Sequence, residues 1–413
     1  MIKSFRLPQE SFQQTLLIFL PFSLFFPIGI MYSGIVFFIL SSLFSGQGIA
    51  KFKTIKASPF FIPVVCLLAW ILFKLFFLSN AIEGRWSAFI HYFIFLFGFL
   101  FISAGNGKWK EKARDVYIAG AIYGATVYYL SHLHILPDWI IFRNYAIYAG
   151  NKSIALGIFH AIAAAWLLDL ALSQTDKKAL FIRLIAYFYI SSAVLLFAMT
   201  RTGILLWFLL SLISVLCHVK FSLRGMLSLL LGLTTLFAAW QLSPVARERA
   251  EVTIQSVRDF YHGQIGSGQG NRLQFIKITV EMILEKPVIG HGIGSWLEQY
   301  PERALQAGAD ETHGMSTPHN DYLLYGAELG LIGLVGLLTV YLTISIQSLK
   351  QIPQHGLGLF LIAVTLLVGS MFNALLRDWK FGMPMMILLA IAYSGSSEVV
   401  ANEEVNESVN EST

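Results

Sequence analysis

The stretch AYFYISSAVLLFAMTRTGILLWFLLSLISVLC, residues 186–217, decides the fold class. Two solid apolar runs flank the short polar turn Thr200-Arg201-Thr202-Gly203. An apolar run of about 20 residues is the length that crosses a bilayer as a helix. The stretch therefore reads as two spans joined by a tight turn. Such runs recur along most of the 413 residues, which are 56% hydrophobic and 13% charged, with a mean hydropathy of +0.66. Soluble proteins carry charge on about a quarter of their residues, so the two or three soluble domains that length alone would permit are excluded. A β-barrel would show roughly ten-residue alternating segments instead of solid blocks. The expectation is an all-α polytopic membrane protein with about twelve transmembrane helices. They fall near 12–28, 30–46, 59–79, 85–104, 114–133, 148–172, 180–199, 203–219, 225–242, 321–348, 356–376 and 382–397. Cys66 and Cys217 lie inside apolar runs and read as small core residues, with no disulfide or zinc framework.

Lys and Arg placement gives the expected orientation. With the N-terminus inside, one set of ends and loops carries about fifteen cations and the opposite short loops about six, the positive-inside asymmetry. Lys51, Lys53, Lys56, Lys108, Lys110, Lys112 and Arg114 belong to the first set; Arg85, Arg143, Lys152, Arg201, Arg377 and Lys380 form the second. Both termini are thus expected in the cytoplasm. Residues 1–242 are read as transmembrane helices 1–9 and 321–397 as helices 10–12, with 398–413 a disordered acidic cytoplasmic tail. Between them, 243–320 forms a polar periplasmic loop with two helices, from Pro244 to Tyr261 and from Arg272 to Lys286. It is too small and polar for an independent enzyme domain and is expected to cap a site formed by the spans.

The outer-face cations are the informative ones. Arg143, Arg201, Arg272 and Arg377 stand where the orientation rule disfavours them, and an arginine at a helix centre costs roughly 2.5–3.5 kcal/mol. Each alone can snorkel to headgroup phosphates. Several guanidinium groups on one face suit a dense anion such as pyrophosphate, because the planar fork matches phosphate oxygens bidentately. Arg377 has a second explanation in its neighbour Asp378, as a structural ion pair. Lys74, inside the third span, is near enough to its end to snorkel. No phosphate-cradling Gly-x-x-x-x-Gly-Lys sequence is present, and Gly290-His291-Gly292-Ile293-Gly294 reads as a turn.

The most specific segment runs Thr317-Pro318-His319-Asn320-Asp321-Tyr322-Leu323-Leu324-Tyr325-Gly326-Ala327-Glu328-Leu329-Gly330. Pro318 is placed to begin a helix, and the positive end of a helix keeps a histidine neutral. A neutral His319 can act as a general base; the bland reading is a histidine that merely caps the helix. His291 and His313 share the loop and compete for the role. Glu328, an acid inside an apolar helix, requires a partner or a polar cavity.

These residues resemble the signature of the O-antigen ligase and polymerase superfamily, in which a His-Asn pair precedes an apolar stretch, a Glu and a Gly-rich span. Thr200-Arg201-Thr202-Gly203 looks like that family's Arg-containing turn. Asn271-Arg272 with Pro287-Val288-Ile289-Gly290-His291-Gly292 is similar to its large-loop motif. The resemblance covers roughly residues 140–380. It implies a GT-C-like glycosyltransferase bundle in the bacterial inner membrane, with its active site on the periplasmic face. His319 would be the catalytic base and Arg201, Arg272 and Arg143 the pyrophosphate-binding residues. Asn320, Glu328, Arg377, Asp378 and His313 would support them. The implied donor is a glycan on undecaprenyl pyrophosphate and the implied acceptor a hydroxyl of lipid A–core oligosaccharide.

The expected chemistry is inverting glycosyl transfer. Arginines stabilise the leaving pyrophosphate without a metal, no other cofactor is required, and no outer-loop acidic pair provides metal ligands; Asp310-Glu311 lack companions. Membrane lipids surround the protein, and no nucleic-acid partner is expected. An O-antigen polymerase shares the layout and differs in acceptor. A protein O-oligosaccharyltransferase is a third relative, which commonly adds a C-terminal soluble region. A transporter of lipid-linked glycans is the rival from another class; it would show repeated halves and mid-bilayer charges, and would keep working when His319 becomes alanine.

Overall fold

The computed structural model describes residues 9–78, 85–136, 151–197, 200–218, 244–262, 268–308 and 314–395, together with Leu230, Thr234 and Gln241. Among them every regular element is helical. In chain order they are α1 Gln9–Phe19, continued by a 3₁₀ turn Leu20–Phe25, α2 Ile28–Leu43, α3 Gly48–Ala57, α4 Phe61–Phe73, continued by a π turn Lys74–Leu78, and α5 Arg85–Ile102. Then come α6 Trp109–His132, α7 Asn151–Leu172, α8 Lys177–Leu196, α9 Arg201–His218, α10 Pro244–Tyr261, α11 Gly268–Glu285, α12 Ser295–Gln306, α13 Asp321–His355, α14 Gly358–Phe372 and α15 Trp379–Ala392.

Five of these helices (α5, α7 from Ile154 onward, α8, α9 and α13) are long and apolar enough to cross a membrane, and α2 with α3, bent by 113°, make a sixth if counted as one span. Shorter apolar helices accompany them at Phe12–Phe25, Phe61–Phe77, Gly358–Phe372 and Trp379–Ala392. Their outward faces are apolar: Phe181 is 64% and Ile62 71% exposed, which an apolar surrounding accepts and water does not. Of the expected span near 225–242 only Leu230, Thr234 and Gln241 are among the described residues, and the tail at 398–413 lies outside them.

α7 is the centre of the bundle. Its apolar window is 89% buried, against 33% for α8 and 39% for α9, which both pack on it. Small side chains make this possible. Ala161, Ala163, Ala164 and Ala165 are fully enclosed, and a Cβ on Gly203 of α9 would stand 3.0 Å from the Gly157 backbone, the close approach that small residues allow between membrane helices. α8 starts at Asp176, whose carboxylate accepts from the Lys178 and Ala179 amides at 3.1 and 3.2 Å. Both cysteines are exposed, where core positions were expected. The sequence pattern cannot separate the two, because a lipid-facing position is as apolar as a core one.

Among its described residues the polar segment carries three helices, α10, α11 and α12, where the sequence suggested two. α12 escapes the sequence because Gly294 stands at its N-cap and Pro301 inside it, both of which read as breakers. It is amphipathic nonetheless, and Trp296, Tyr300 and Ala304 bury one face against Phe275, Ile278 and Met282 of α11. This small core also takes in Leu324 and Ala327 of α13, which fixes the polar segment on the start of that helix.

Candidate functional site

The site is assembled around a break in α13. Gly330 has φ 70° and ψ −169°, so the helix cannot continue through it. Four backbone groups that would pair with one another in an unbroken helix are freed: the carbonyls of Ala327 and Glu328 and the amides of Leu331 and Ile332. The segment 287–292 satisfies all four. His291 N–H donates to Ala327 at 2.8 Å, Gly292 N–H to Glu328 at 3.0 Å, Leu331 N–H to Pro287 at 2.8 Å and Ile332 N–H to Val288 at 3.4 Å. The glycines expected as a turn thus form a spliced segment, with positive φ at Gly290, Gly292 and Gly294. A Cβ on Gly290 would stand 2.5 Å from the Gly330 amide nitrogen. α4 completes the pairing, with Lys74 Nζ donating to the Gly290 carbonyl at 3.0 Å and Trp70 Nε1 to the Leu329 carbonyl at 3.1 Å. Lys74 is 1% exposed; it does not snorkel, because its ammonium has a carbonyl to bind inside.

Beneath the splice, Glu328 is 2% exposed and accepts from the Tyr92 hydroxyl at 2.6 Å. The amides of Gly294 and Trp296 also face its carboxylate, and Arg377 lies within its electrostatic reach. The partner that a buried acid requires is therefore supplied mainly by α5 and by the start of α12.

His319 stands just outside α13. Helix formation begins at Asp321, not at Pro318, because Asn320 is the N-cap and its side-chain oxygen accepts from the Leu323 amide at 3.0 Å. The Asn320 amide reaches across to the Met371 carbonyl at 3.0 Å. His319 itself has φ 51°, a left-handed conformation uncommon outside glycine, and its N–H donates to the Thr317 hydroxyl at 3.4 Å. Its ring lies 5.7 Å from that of Phe275 on α11, one turn from Arg272. Burial lowers its pKa below the ordinary 6.5; Arg272 adds to the lowering and Asp378 opposes it. Burial also lowers the pKa of Arg272. The result is a neutral imidazole within the field of a partly dehydrated guanidinium and one carboxylate.

The loop between α14 and α15 closes the arrangement. Asp321 is fully buried and accepts from the Leu376 amide at 3.0 Å, with the amides of Leu375 and Arg377 and the Ser370 hydroxyl turned toward the same carboxylate. The residue after the N-cap of α13 thus fastens the loop that carries Arg377 and Asp378. Asn373 in that loop donates to the Thr202 hydroxyl at 2.9 Å, which joins it to the turn bearing Arg201 at the head of α9. Arg377 and Asp378 are not an ion pair among the described residues. The Asp378 carboxylate instead caps α15 through the Lys380 amide at 3.0 Å, while Arg377 stands in the field of Glu328 and its carbonyl faces His91.

The structure brings together His319, Asn320, Arg272 and Asp378, ties the Arg201 turn to the same loop, and places Glu328 and Arg377 one layer below. Arg143 and His313 lie outside the described residues. His291 is committed elsewhere, with Nε2 2.7 Å from the Met282 carbonyl and 3.7 Å from Glu285. Tyr92, Asp321, Asn373, Lys74 and Trp70 escape a reading by motif. The one with a detectable signal is Lys74, an ionisable residue inside an apolar run. Among the described residues no three His, Cys, Asp or Glu side chains gather as a metal site.

No curated protein matches the chain. Residues 186–338, which hold the Arg201 turn, Arg272, the spliced glycines and His319, match the family model described as O-antigen ligase, whose members are membrane glycosyltransferase or ligase enzymes, a finding consistent with an O-antigen ligase superfamily member.

Proposed function

We propose that the chain is an inverting, metal-independent O-antigen ligase of lipopolysaccharide biosynthesis. It takes a glycan from undecaprenyl pyrophosphate and places it on a hydroxyl of lipid A–core oligosaccharide. The observation that carries this reading is the half-buried His319 set beside the Phe275 ring and within the electrostatic field of Arg272 and Asp378, where burial lowers its pKa. His319 takes the proton of the acceptor hydroxyl as that oxygen attacks the anomeric carbon. The bond from that carbon to the pyrophosphate breaks, and its electron pair leaves on the phosphate oxygen. Arg201, Arg272 and Arg143 hold the pyrophosphate and stabilise the charge it gains. Asn320, Glu328, Arg377, Asp378 and His313 support the arrangement. The family match supports lipid-linked glycan and lipid acceptor substrates in general.

In this reading the apolar helices make about twelve crossings of the bacterial inner membrane. The bundle is GT-C-like, residues 243–320 cap the site in the periplasm, and both termini are cytoplasmic. Purified protein is incubated with the undecaprenyl-pyrophosphate glycan and either lipid A–core or a second lipid-linked glycan. Mass gained by lipid A–core supports the ligase; mass gained by the second glycan makes the protein a polymerase. Gain by neither, with donor still bound, refutes glycosyl transfer.

A further inference from the structure

On the C-terminal side of the break at Gly330, one face of α13 is an exposed hydrocarbon strip. Leu331, Val335, Leu338, Leu342, Ile346 and Leu349 recur at three- and four-residue steps and all stand out from the protein. α13 is long and apolar enough to cross a membrane, and lipid is the surrounding that accepts such a strip. On the N-terminal side of the break the pattern stops, because every residue from Leu324 to Gly330 is buried. The exposed apolar surface passes at that level to another part of the chain. Leu284 in the last turn of α11 is 71% exposed and Val288 56%, with Ile289 exposed beside them. The bonds from the Leu331 amide to Pro287 and from the Ile332 amide to Val288 set this patch at the end of the strip.

The lengths agree with a shared role. Leu349 lies eighteen residues beyond Leu331, a rise of about 27 Å, against about 30 Å for the hydrocarbon of a bilayer. The strip on α13 alone therefore falls short by about 3 Å, and one further turn, about 5.4 Å, makes up the difference. Leu284 to Ile289 supply that turn. A lysine also marks each end: Lys350 follows Leu349, and Lys286 lies between Leu284 and Val288. Both are exposed, and neither forms an ion pair among the described residues. Cations on flexible stems at the two rims of an apolar surface are placed to reach headgroup phosphates.

We infer that Leu284–Ile289 is sunk in the bilayer leaflet nearest the polar segment, where it replaces the enclosed part of α13 as the lipid-facing surface, with Lys286 at the headgroup phosphates. The polar segment is thus seated in the membrane at the splice and does not stand clear of it. The inference requires α13 to cross a bilayer and owes nothing to the transferase reading.

The test uses the full chain with Cys66→Ala and Cys217→Ala, in vesicles of phosphatidylethanolamine and phosphatidylglycerol. A nitroxide is attached in turn at Leu284→Cys, Val288→Cys and Ile289→Cys. Leu338→Cys on the strip serves as the lipid reference and Glu302→Cys, exposed on α12, as the aqueous one. Electron spin resonance reads collisions of each label with oxygen, which concentrates in hydrocarbon, and with a neutral nickel chelate, which stays in water. Labels at 284, 288 and 289 should show a severalfold higher ratio of oxygen to nickel collisions than the label at 302, approaching the ratio at 338. A ratio equal to that at 302 puts the segment in water and overturns the inference. Protection from both reagents means that protein covers the patch, a second copy of this chain included, and overturns it as well. Should a label at 288 or 289 disturb the splice, the label at 284, which lies outside the spliced segment, decides alone.

Discussion

Substituting Gly330 with alanine attacks the splice at its narrowest point. With φ 70° and ψ −169° the position belongs to a region that other residues enter at a cost of about 1–3 kcal/mol. The new Cβ would also stand 2.3 Å from the Val288 carbonyl oxygen and 2.5 Å from the Gly290 nitrogen. Neither neighbour is the flexible end of a side chain, so the inserted segment must retreat and take with it the bonds from Leu331 and Ile332. Two such bonds are worth about 1 kcal/mol each, and more where a buried group is left without any partner. The sum is a loss of about 3–6 kcal/mol, which is a hundredfold or greater change in the folding equilibrium at ~1.4 kcal/mol per decade. Thermal unfolding of the purified protein in detergent measures it, with limited proteolysis of 244–306 reporting whether the polar segment has come loose. Gly29→Ala is the control. Gly29 lies inside α2, where an added methyl would meet nothing within 4 Å, and the change should be neutral or stabilise by up to about 1 kcal/mol. A Gly330→Ala protein that melts with the wild type would refute the account of the break.

Lys74→Met keeps the volume and removes the donor to Gly290; it should lower stability by about 1–3 kcal/mol, and an unchanged melting temperature would show that the ammonium does not bind the splice. Asp321→Ala leaves the buried Leu376 amide without its acceptor, so it should cost about 1–3 kcal/mol and impair transfer through the displaced loop; full activity would separate that loop from the site. The pH profile follows from His319. Its pKa is below 6.5, so the neutral base survives as pH falls through that value and the acid limb of kcat/KM lies beneath it. Stability falls in the same direction and begins to fall sooner, because the unfolded chain takes up the proton first and folding weakens as pH drops below 6.5. Arg272→Gln removes one cause of the lowering and should shift the limb toward 6.5 while reducing the rate; a limb that stays in place would show that the two groups do not interact.

The class of fold was legible because a bilayer imposes one length and one composition on every span, and residues 186–217 meet both. Arg201, Arg272, His319 and Glu328 were legible for the converse reason: each is costly where it stands. What the sequence concealed is mostly backbone. Nothing in Gly290-His291-Gly292 distinguishes a free turn from a segment that repairs a distant helix, since the bonding partner lies about forty positions away and uses no side chain. Asp321 was hidden by its place, since an acid at a helix start is explained by the dipole alone, and only the fold reveals that its carboxylate reaches the loop at 375–377. Cys66 and Cys217 mark a further limit, as hydropathy assigns the same value to lipid and to protein interior.

The break at Gly330 bears on how the chain is put together. As it is first made, the last long span can be an ordinary rod in which Leu331 and Ile332 bond internally to Ala327 and Glu328. Docking of 287–292 exchanges those two internal bonds for four between segments. The nascent rod therefore never presents naked amides to hydrocarbon, where each would cost several kcal/mol, and the kink forms only when its complement has arrived. Bending of this rod and docking of 287–292 on it are therefore coupled through the same four bonds.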